Sequence, residues 1–215
     1  MRISLGDVSL WFDVSGPSVI PQEDTTAERP VVVAVHGGPG LDHMTVKSAL
    51  GPLAENFQVL YFDLRGHGRS DHSSAEFWNR TYADETGDYQ AEFNRVCYPL
   101  YSATPGWAGE SRQFLARMIK NMDVSLHYAS QQASGFDPWT VTGAVRCPVL
   151  VLTGEDDPIC PLPVVEELAS QLPAQTIRLV KLPGARHTIF RDRPNLAFPA
   201  VRDFVFQIKE SQPAS

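Results

Sequence analysis

Four short segments of this chain carry groups capable of chemistry: His36-Gly37-Gly38-Pro39-Gly40, Asp63-Leu64-Arg65-Gly66-His67-Gly68-Arg69-Ser70, Gly154-Glu155-Asp156-Asp157 and Gly184-Ala185-Arg186-His187. Consecutive glycines without Cβ atoms let the backbone N–H groups of Gly37 and Gly38 point into a cleft, where they can polarise a carbonyl oxygen. A plain structural turn needs glycine but not the full run His-Gly-Gly-Pro-Gly. Histidine is the side chain best matched to proton transfer near neutrality, and a carboxylate can orient it. Each residue also has a plainer reading. Asp157 can cap the helix that follows it, His187 can be a surface residue, and the run Glu155-Asp156-Asp157 can be a solvated turn. His67, in a tight glycine-flanked turn, has limited reach and reads as a backbone partner.

These segments follow predicted strands. Residues 3–5 and 8–14 alternate around Gly6-Asp7 and read as an opening hairpin. A polar, proline-bearing stretch, 16–30, reads as a surface connection. Val31-Val32-Val33-Ala34-Val35 is an unbroken apolar run of the kind buried on both faces, and it delivers His36 to a strand end. Residues 44–54 have helical spacing and 57–63 read as a second buried strand, so the chain runs strand, helix, strand, which implies a parallel sheet. Residues 91–101 and 110–122 read as amphipathic helices around Ser102-Ala103-Thr104-Pro105-Gly106. The strand pattern then returns at 148–153, followed by a helix at 164–172, a strand at 176–182 and a closing helix at 196–208.

Length and composition set outer bounds. A chain of 215 residues with 43% hydrophobic and 20% charged residues suits one α/β domain with a small appendage. At this size folding buries roughly 70% of the unfolded surface. The net charge of −7, without clustered Lys and Arg, argues against nucleic acid. No apolar stretch approaches the roughly 18 residues that span a bilayer, and the N-terminus lacks a signal-peptide pattern, so no membrane association is expected and the cytoplasm is the expected compartment. Cys97, Cys147 and Cys160 are odd in number and lack metal-type spacing, so neither a disulfide framework nor a metal site is expected.

The four segments, in their order, resemble the α/β-hydrolase superfamily and within it the proline-iminopeptidase-like group. The resemblance implies a mostly parallel sheet with a small helical lid: residues 1–84 as the N-terminal part of the core, 85–145 as the lid, and 146–215 as the C-terminal part. It implies that Gly37 and Gly38 belong to an oxyanion loop, that Asp157 is the acid orienting a histidine, with Asp156 ranked second, and that His187 is the general base. No cofactor and no metal are implied.

The family's nucleophile sits in a Gly-x-Ser-x-Gly elbow, and no such motif occurs in this chain. Residues 77–84 resemble the helix that precedes the elbow strand in related proteins, and 91–98 already resemble lid sequence. The resemblance therefore skips a contiguous block holding two sheet strands and the nucleophile, and the sheet is expected to be shortened. Ser111, in Gly109-Glu110-Ser111-Arg112-Gln113, and Ser70 are the substitutes to weigh. Ser111 lacks the trailing glycine and a preceding strand.

Loss of those strands would leave Val31–Val35 with an open edge. Direct pairing with residues 149–152 is the expected remedy, and a homodimer covering the edge is the alternative. Two functional readings follow. One is a hydrolase-type site for a peptide, ester or lactone carbonyl, acting on a small-molecule or peptide substrate with weak or altered activity for want of a serine. The other is an inactive or non-hydrolytic descendant: a small-molecule binder, a cyclase or lyase, or a partner protein.

Overall fold

Alternation in the strand Gln58–Phe62 sets the packing of the N-terminal half, because Val59 and Tyr61 face one way and are fully buried. The computed structural model describes residues 1–37, 40–72, 95–125, 142–173 and 177–211. They fall into two compact units, one from residues 1–89 and 112–135, the other from 90–111 and 136–215.

In the first unit, β1 (Arg2–Ser4) and β2 (Ser9–Ser15) form the expected hairpin, closed by a Leu5 N–H bond to the Val8 carbonyl. The connection after it is not irregular throughout, since β3 (Val19–Pro21) and β4 (Thr26–Glu28) make a small antiparallel ribbon. β5 (Val31–Val35) leads to α1 (Met44–Leu50) and then β6 (Gln58–Phe62). The sheet order is β1-β2-β6-β5, with β5 parallel to β6 and the other pairs antiparallel. Phe57, Leu53 and Ala34 join Val59 and Tyr61 in its core.

Asp63, fully buried just past β6, organises the turn that follows. Its Oδ1 accepts from the backbone N–H of His43 and from His43 Nδ1, both at 2.8 Å, and its Oδ2 accepts from the Arg69 N–H at 2.8 Å. Gly68, at φ +50°, is required here because a Cβ would lie 2.3 Å from Asp63 Oδ2. Ser70 Oγ donates to the Asp63 carbonyl at 2.6 Å and accepts from Trp11 N–H at 2.8 Å, stitching the turn to β2. A second buried carboxylate, Asp42, accepts from Ile119 N–H at 3.0 Å and so holds the segment near 119 against the loop after β5.

The second unit contains a one-turn 3₁₀ segment (Tyr98–Tyr101) and the first part of α2 (Trp107–Leu115), whose residues from 112 onward belong to the first unit. Its parallel ladder pairs β7 (Val149–Gly154) with β8 (Ile177–Leu182). α3 (Leu162–Gln171) follows β7, while α4 (Ile189–Asp192) and α5 (Pro194–Ser211) follow β8. Leu182, Ala185 and Ala197 form its small core, with Val180, Ile189 and Phe190 packed against it.

Two expectations need correction. Direct pairing of residues 149–152 with β5 does not occur: among the described residues β5 pairs with β6 alone and β7 with β8, in separate sheets. Nor is β5 buried on both faces. Val31, Val33 and Val35 are 59%, 54% and 59% exposed: strand alternation puts these odd-numbered side chains on one face, and that face lies in solvent. The other elements agree within a few residues with their predicted spans, apart from 91–101, where the described element is a one-turn 3₁₀ segment at Tyr98–Tyr101, and 110–122, where the helix starts at Trp107 and ends at Leu115. Residues 77–84 and 91–94 lie outside the described set.

The β7–β8 register sets Gly154 opposite Leu182, so both strands end level and their loops leave side by side. Glu155 N–H bonds the Leu182 carbonyl at 3.1 Å and Asp156 N–H the Ala185 carbonyl at 3.0 Å. A Cβ on Gly154 would lie 2.3 Å from the Ala185 oxygen and 2.5 Å from the Arg186 oxygen, so the loops touch only because residue 154 is glycine. Asp192, buried at the end of α4, ties down the second loop. Its Oδ2 accepts from Arg186 N–H at 2.9 Å, and its Oδ1 accepts from Ser102 Oγ at 2.5 Å, Ala103 N–H at 3.0 Å and Thr104 Oγ1 at 3.0 Å.

Two predictions follow from this packing. Gly154→Ala forces the backbone loops apart and costs about 1–3 kcal/mol, read as a lower midpoint in urea unfolding; an unchanged midpoint refutes the close approach. Burial pushes the carboxyls of Asp63 and Asp192 up, but the hydrogen bonds each accepts outweigh it, and both lie below the ordinary value of 3.8. An unfolded chain then binds more protons than the folded one as pH falls through this range. The stability these groups contribute is present above the ordinary carboxylate value and is lost as the pH falls below it. Asp192→Asn is expected to flatten the fall of stability below the ordinary carboxylate value, measured by denaturant titrations at stepped pH.

Candidate functional site

The strand-end loops of the second unit bring Asp157 and His187 together from 30 residues apart in sequence: His187 Nδ1 lies 3.0 Å from Asp157 Oδ2. Asp157 is buried and His187 is exposed. The other carboxylate oxygen, Oδ1, accepts the N–H groups of Ile159 at 2.8 Å and Cys160 at 3.1 Å. Asp157 thus shapes the turn before α3 and meets a histidine, but it does not cap that helix, whose N-cap is Pro161 with no side-chain cap. With the carboxylate accepting, Nδ1 carries the proton and Nε2 keeps its lone pair. Among the described residues Nε2 makes no hydrogen bond. Asp156 is exposed, and its backbone is held by the Ala185 carbonyl.

Aromatic rings flank the pair. Tyr101 meets His187 edge to face at 5.1 Å between centroids and stacks on Trp107 at 6.2 Å, while Tyr98 packs on Trp107 at 4.6 Å. Thr188 N–H bonds the Tyr101 carbonyl at 3.0 Å, so this aromatic segment and the His187 loop are fastened by backbone. Burial, with Tyr98 and several further groups adding to it, pushes the Tyr101 phenol up. Cys160 joins the cluster, because one ligand-capable atom each from Asp157, Cys160 and His187 lies within 4.8 Å of the others. Burial and then the Asp157 carboxylate push its thiol up.

In the first unit, His36 is 4% exposed at the end of β5. Its Nε2 accepts from Leu64 N–H at 3.1 Å and its Nδ1 faces the Gly37 carbonyl at 3.3 Å, which fits a neutral ring protonated on Nδ1. Burial is the main cause holding its pKa below the ordinary value, in keeping with that form. Around Gly37 a Cβ would meet nothing within 4 Å, so the loop is open at that point. Gly38 lies outside the described residues.

Both candidate serines are occupied structurally. Ser70 Oγ is buried between Asp63 and Trp11, as described above. Ser111 sits within α2, where its Oγ reaches the Ala108 carbonyl at 3.5 Å and engages Tyr98. Neither hydroxyl is hydrogen-bonded to His187 among the described residues. His67 Nδ1 meets the Arg65 carbonyl at 2.9 Å, in keeping with a backbone role.

Sequence reading missed Cys160, Tyr101 and Asp192. Cysteine spacing is silent about a thiol whose neighbours include a histidine from a distant loop. Only the position of Asp192, six residues past Arg186, whose N–H it accepts, hints at a loop-closing carboxylate.

Residues 30–143 match the model of the α/β-hydrolase fold family, and 122–211 match that of the TAP-like proteins. Proline iminopeptidase PfmaB of Pestalotiopsis fici is 27% identical over 86 residues, a stretch that is 40% of this chain and 27% of that protein's length. Among solved structures, a proline iminopeptidase-related protein from Thermus thermophilus superimposes with a TM-score of 0.67 at 18% identity, covering 94% of this chain and 95% of that one. The 2-hydroxy-6-oxo-6-phenylhexa-2,4-dienoate hydrolase from a Rhodococcus species does so with a TM-score of 0.69 at 17% identity, covering 94% and 96%. At such identities the superpositions speak for the fold alone, but together with a family model matched over more than half of the sequence they lead to one conclusion: the chain belongs to the α/β-hydrolase fold family.

Proposed function

We propose that this chain is a hydrolase-type protein acting on a peptide, ester or lactone carbonyl, with His187 as a general base toward water. The observation that carries the reading is the 3.0 Å bond from His187 Nδ1 to Asp157, which leaves Nε2 as the proton acceptor. In this reading Asp157 holds the tautomer and stabilises the imidazolium that forms. Nε2 takes a proton from water, the oxygen attacks the carbonyl carbon, and the same proton passes to the leaving nitrogen or oxygen as its bond to carbon breaks. Tyr101 and Trp107 offer an aromatic wall for an apolar substituent beside the histidine.

With no Gly-x-Ser-x-Gly in the sequence, turnover is expected to be slow. Triad enzymes stripped of catalytic residues retain about 10³-fold acceleration over water from binding and oxyanion contacts, which sets the scale. The sequence feature also supports the second reading, a binding protein descended from a hydrolase.

Three measurements separate these readings. The protein is assayed with p-nitrophenyl esters and aminoacyl amides, labelled in parallel with a fluorophosphonate probe, and compared with His187→Ala and Asp157→Asn. Slow hydrolysis without serine labelling, reduced about 10²-fold or more in His187→Ala and also reduced in Asp157→Asn, is the expected result. Labelling of a serine replaces the water route with a covalent one, and activity unchanged in His187→Ala overturns the proposal. Substrate-analogue binding without turnover supports the second reading.

A further inference from the structure

We propose that Asp157, Cys160 and His187 form a three-ligand site for a thiophilic divalent cation of the zinc class. A carboxylate oxygen, a thiol sulfur and an imidazole nitrogen from these residues all lie within 4.8 Å of one another. Around tetrahedral zinc, bonds of about 2.0–2.3 Å set neighbouring ligand atoms roughly 3.3–3.7 Å apart. The His187–Asp157 pair, at 3.0 Å, already lies near this spacing. The remaining adjustment is about 1 Å on the same geometry and falls on Cys160 and His187, whose exposure gives them room to move.

Two features prepare the site. The Cys160 N–H is bonded to Asp157 Oδ1 at 3.1 Å, so the thiol-bearing turn is anchored to the carboxylate that would share the ion. The His187 loop is in turn held to the Asp157 loop by Asp156 N–H on the Ala185 carbonyl and by the glycine contact at residue 154. Thiolate and imidazole together favour zinc-class ions over magnesium or calcium, which prefer all-oxygen ligands. A thiolate, a carboxylate and a neutral imidazole would balance a divalent charge, with the thiol proton released to solvent on binding and the proton that His187 Nδ1 shares with Asp157 relocated to Nε2, which frees the Nδ1 lone pair for the ion. Three protein ligands with two of them exposed leave a fourth position open to water. This inference does not rest on carbonyl hydrolysis; a proton-transfer role for His187 requires the ion-free state.

The test uses the full chain carrying Cys97→Ser and Cys147→Ser, so that Cys160 is the sole thiol, with zinc(II) by calorimetry and cobalt(II) by absorption as the probes. One equivalent of zinc is expected to bind. Cobalt should give a thiolate-to-metal charge-transfer band, with the d–d intensity of a tetrahedral centre. Adding Cys160→Ser should abolish the band and weaken zinc at least tenfold, and His187→Ala should weaken zinc similarly. His67→Ala, which leaves all three ligands in place, should keep the parent affinity. Circular dichroism checks that each variant is folded; Cys160→Ser replaces an exposed side chain by a near-isostere. Absence of binding, absence of the thiolate band, or zinc affinity indifferent to Cys160→Ser overturns the site. None of these readouts depends on hydrolytic activity, so the proposed function and the metal site can fail separately.

Discussion

The close approach of two strand-end loops at Gly154 is the constraint on which the C-terminal unit depends. The parallel ladder ends with Gly154 level with Leu182, and the loops that follow the two strands run side by side. Any Cβ at 154 would meet two carbonyl oxygens of the neighbouring loop at 2.3 and 2.5 Å. Because that atom is missing, the loops are joined by backbone hydrogen bonds, and Asp157 comes within reach of a histidine 30 residues away. The chemistry is set by side chains, but their meeting is set by backbone packing.

Buried carboxylates perform much of the positioning, and they do so in three different ways. Asp63 saturates a turn with two backbone N–H groups and a histidine ring. Asp192 gathers donors from residues 102–104 and from Arg186, joining the segment that carries Tyr101 to the loop that carries His187. Asp157 divides its oxygens, one to the turn before α3 and one to the histidine. A buried carboxylate is costly unless its lone pairs are filled, and in each case the filling comes in part from backbone N–H groups that would otherwise be orphaned in a loop or at a helix start. The same arrangement lets one carboxylate hold a turn and meet a histidine ring at once.

Much of the architecture was legible in local pattern. Alternation around Gly6-Asp7 marked the first hairpin, the apolar runs marked β5, β6 and β7, and glycines after strands marked the loops where Asp157 and His187 stand. Pattern was weakest where pairing partners were at issue. The run Val31–Val35 reads as a strand covered on both faces, yet every second valine is in solvent, because an apolar run reports what a strand can bury and not how many layers are supplied to it. The short ribbon of β3 and β4 escaped notice for a related reason, since three-residue strands carry too few alternations to register.

The sequence by itself determined the family, the strand-loop order and the two residue types that form the Asp157–His187 pair, because these depend on local composition and on motifs a few residues long. Only the tertiary structure decided that, among the described residues, β5 and β7 pair in separate sheets, that Ser70 and Ser111 commit their hydroxyls to neighbouring backbone groups, and that Cys160 stands beside the pair. The physical reason is that pairing, burial and convergence are set by which distant segments come to lie level with one another. That alignment is fixed by ladder register and by single close contacts such as Gly154, neither of which has a signature in residue spacing.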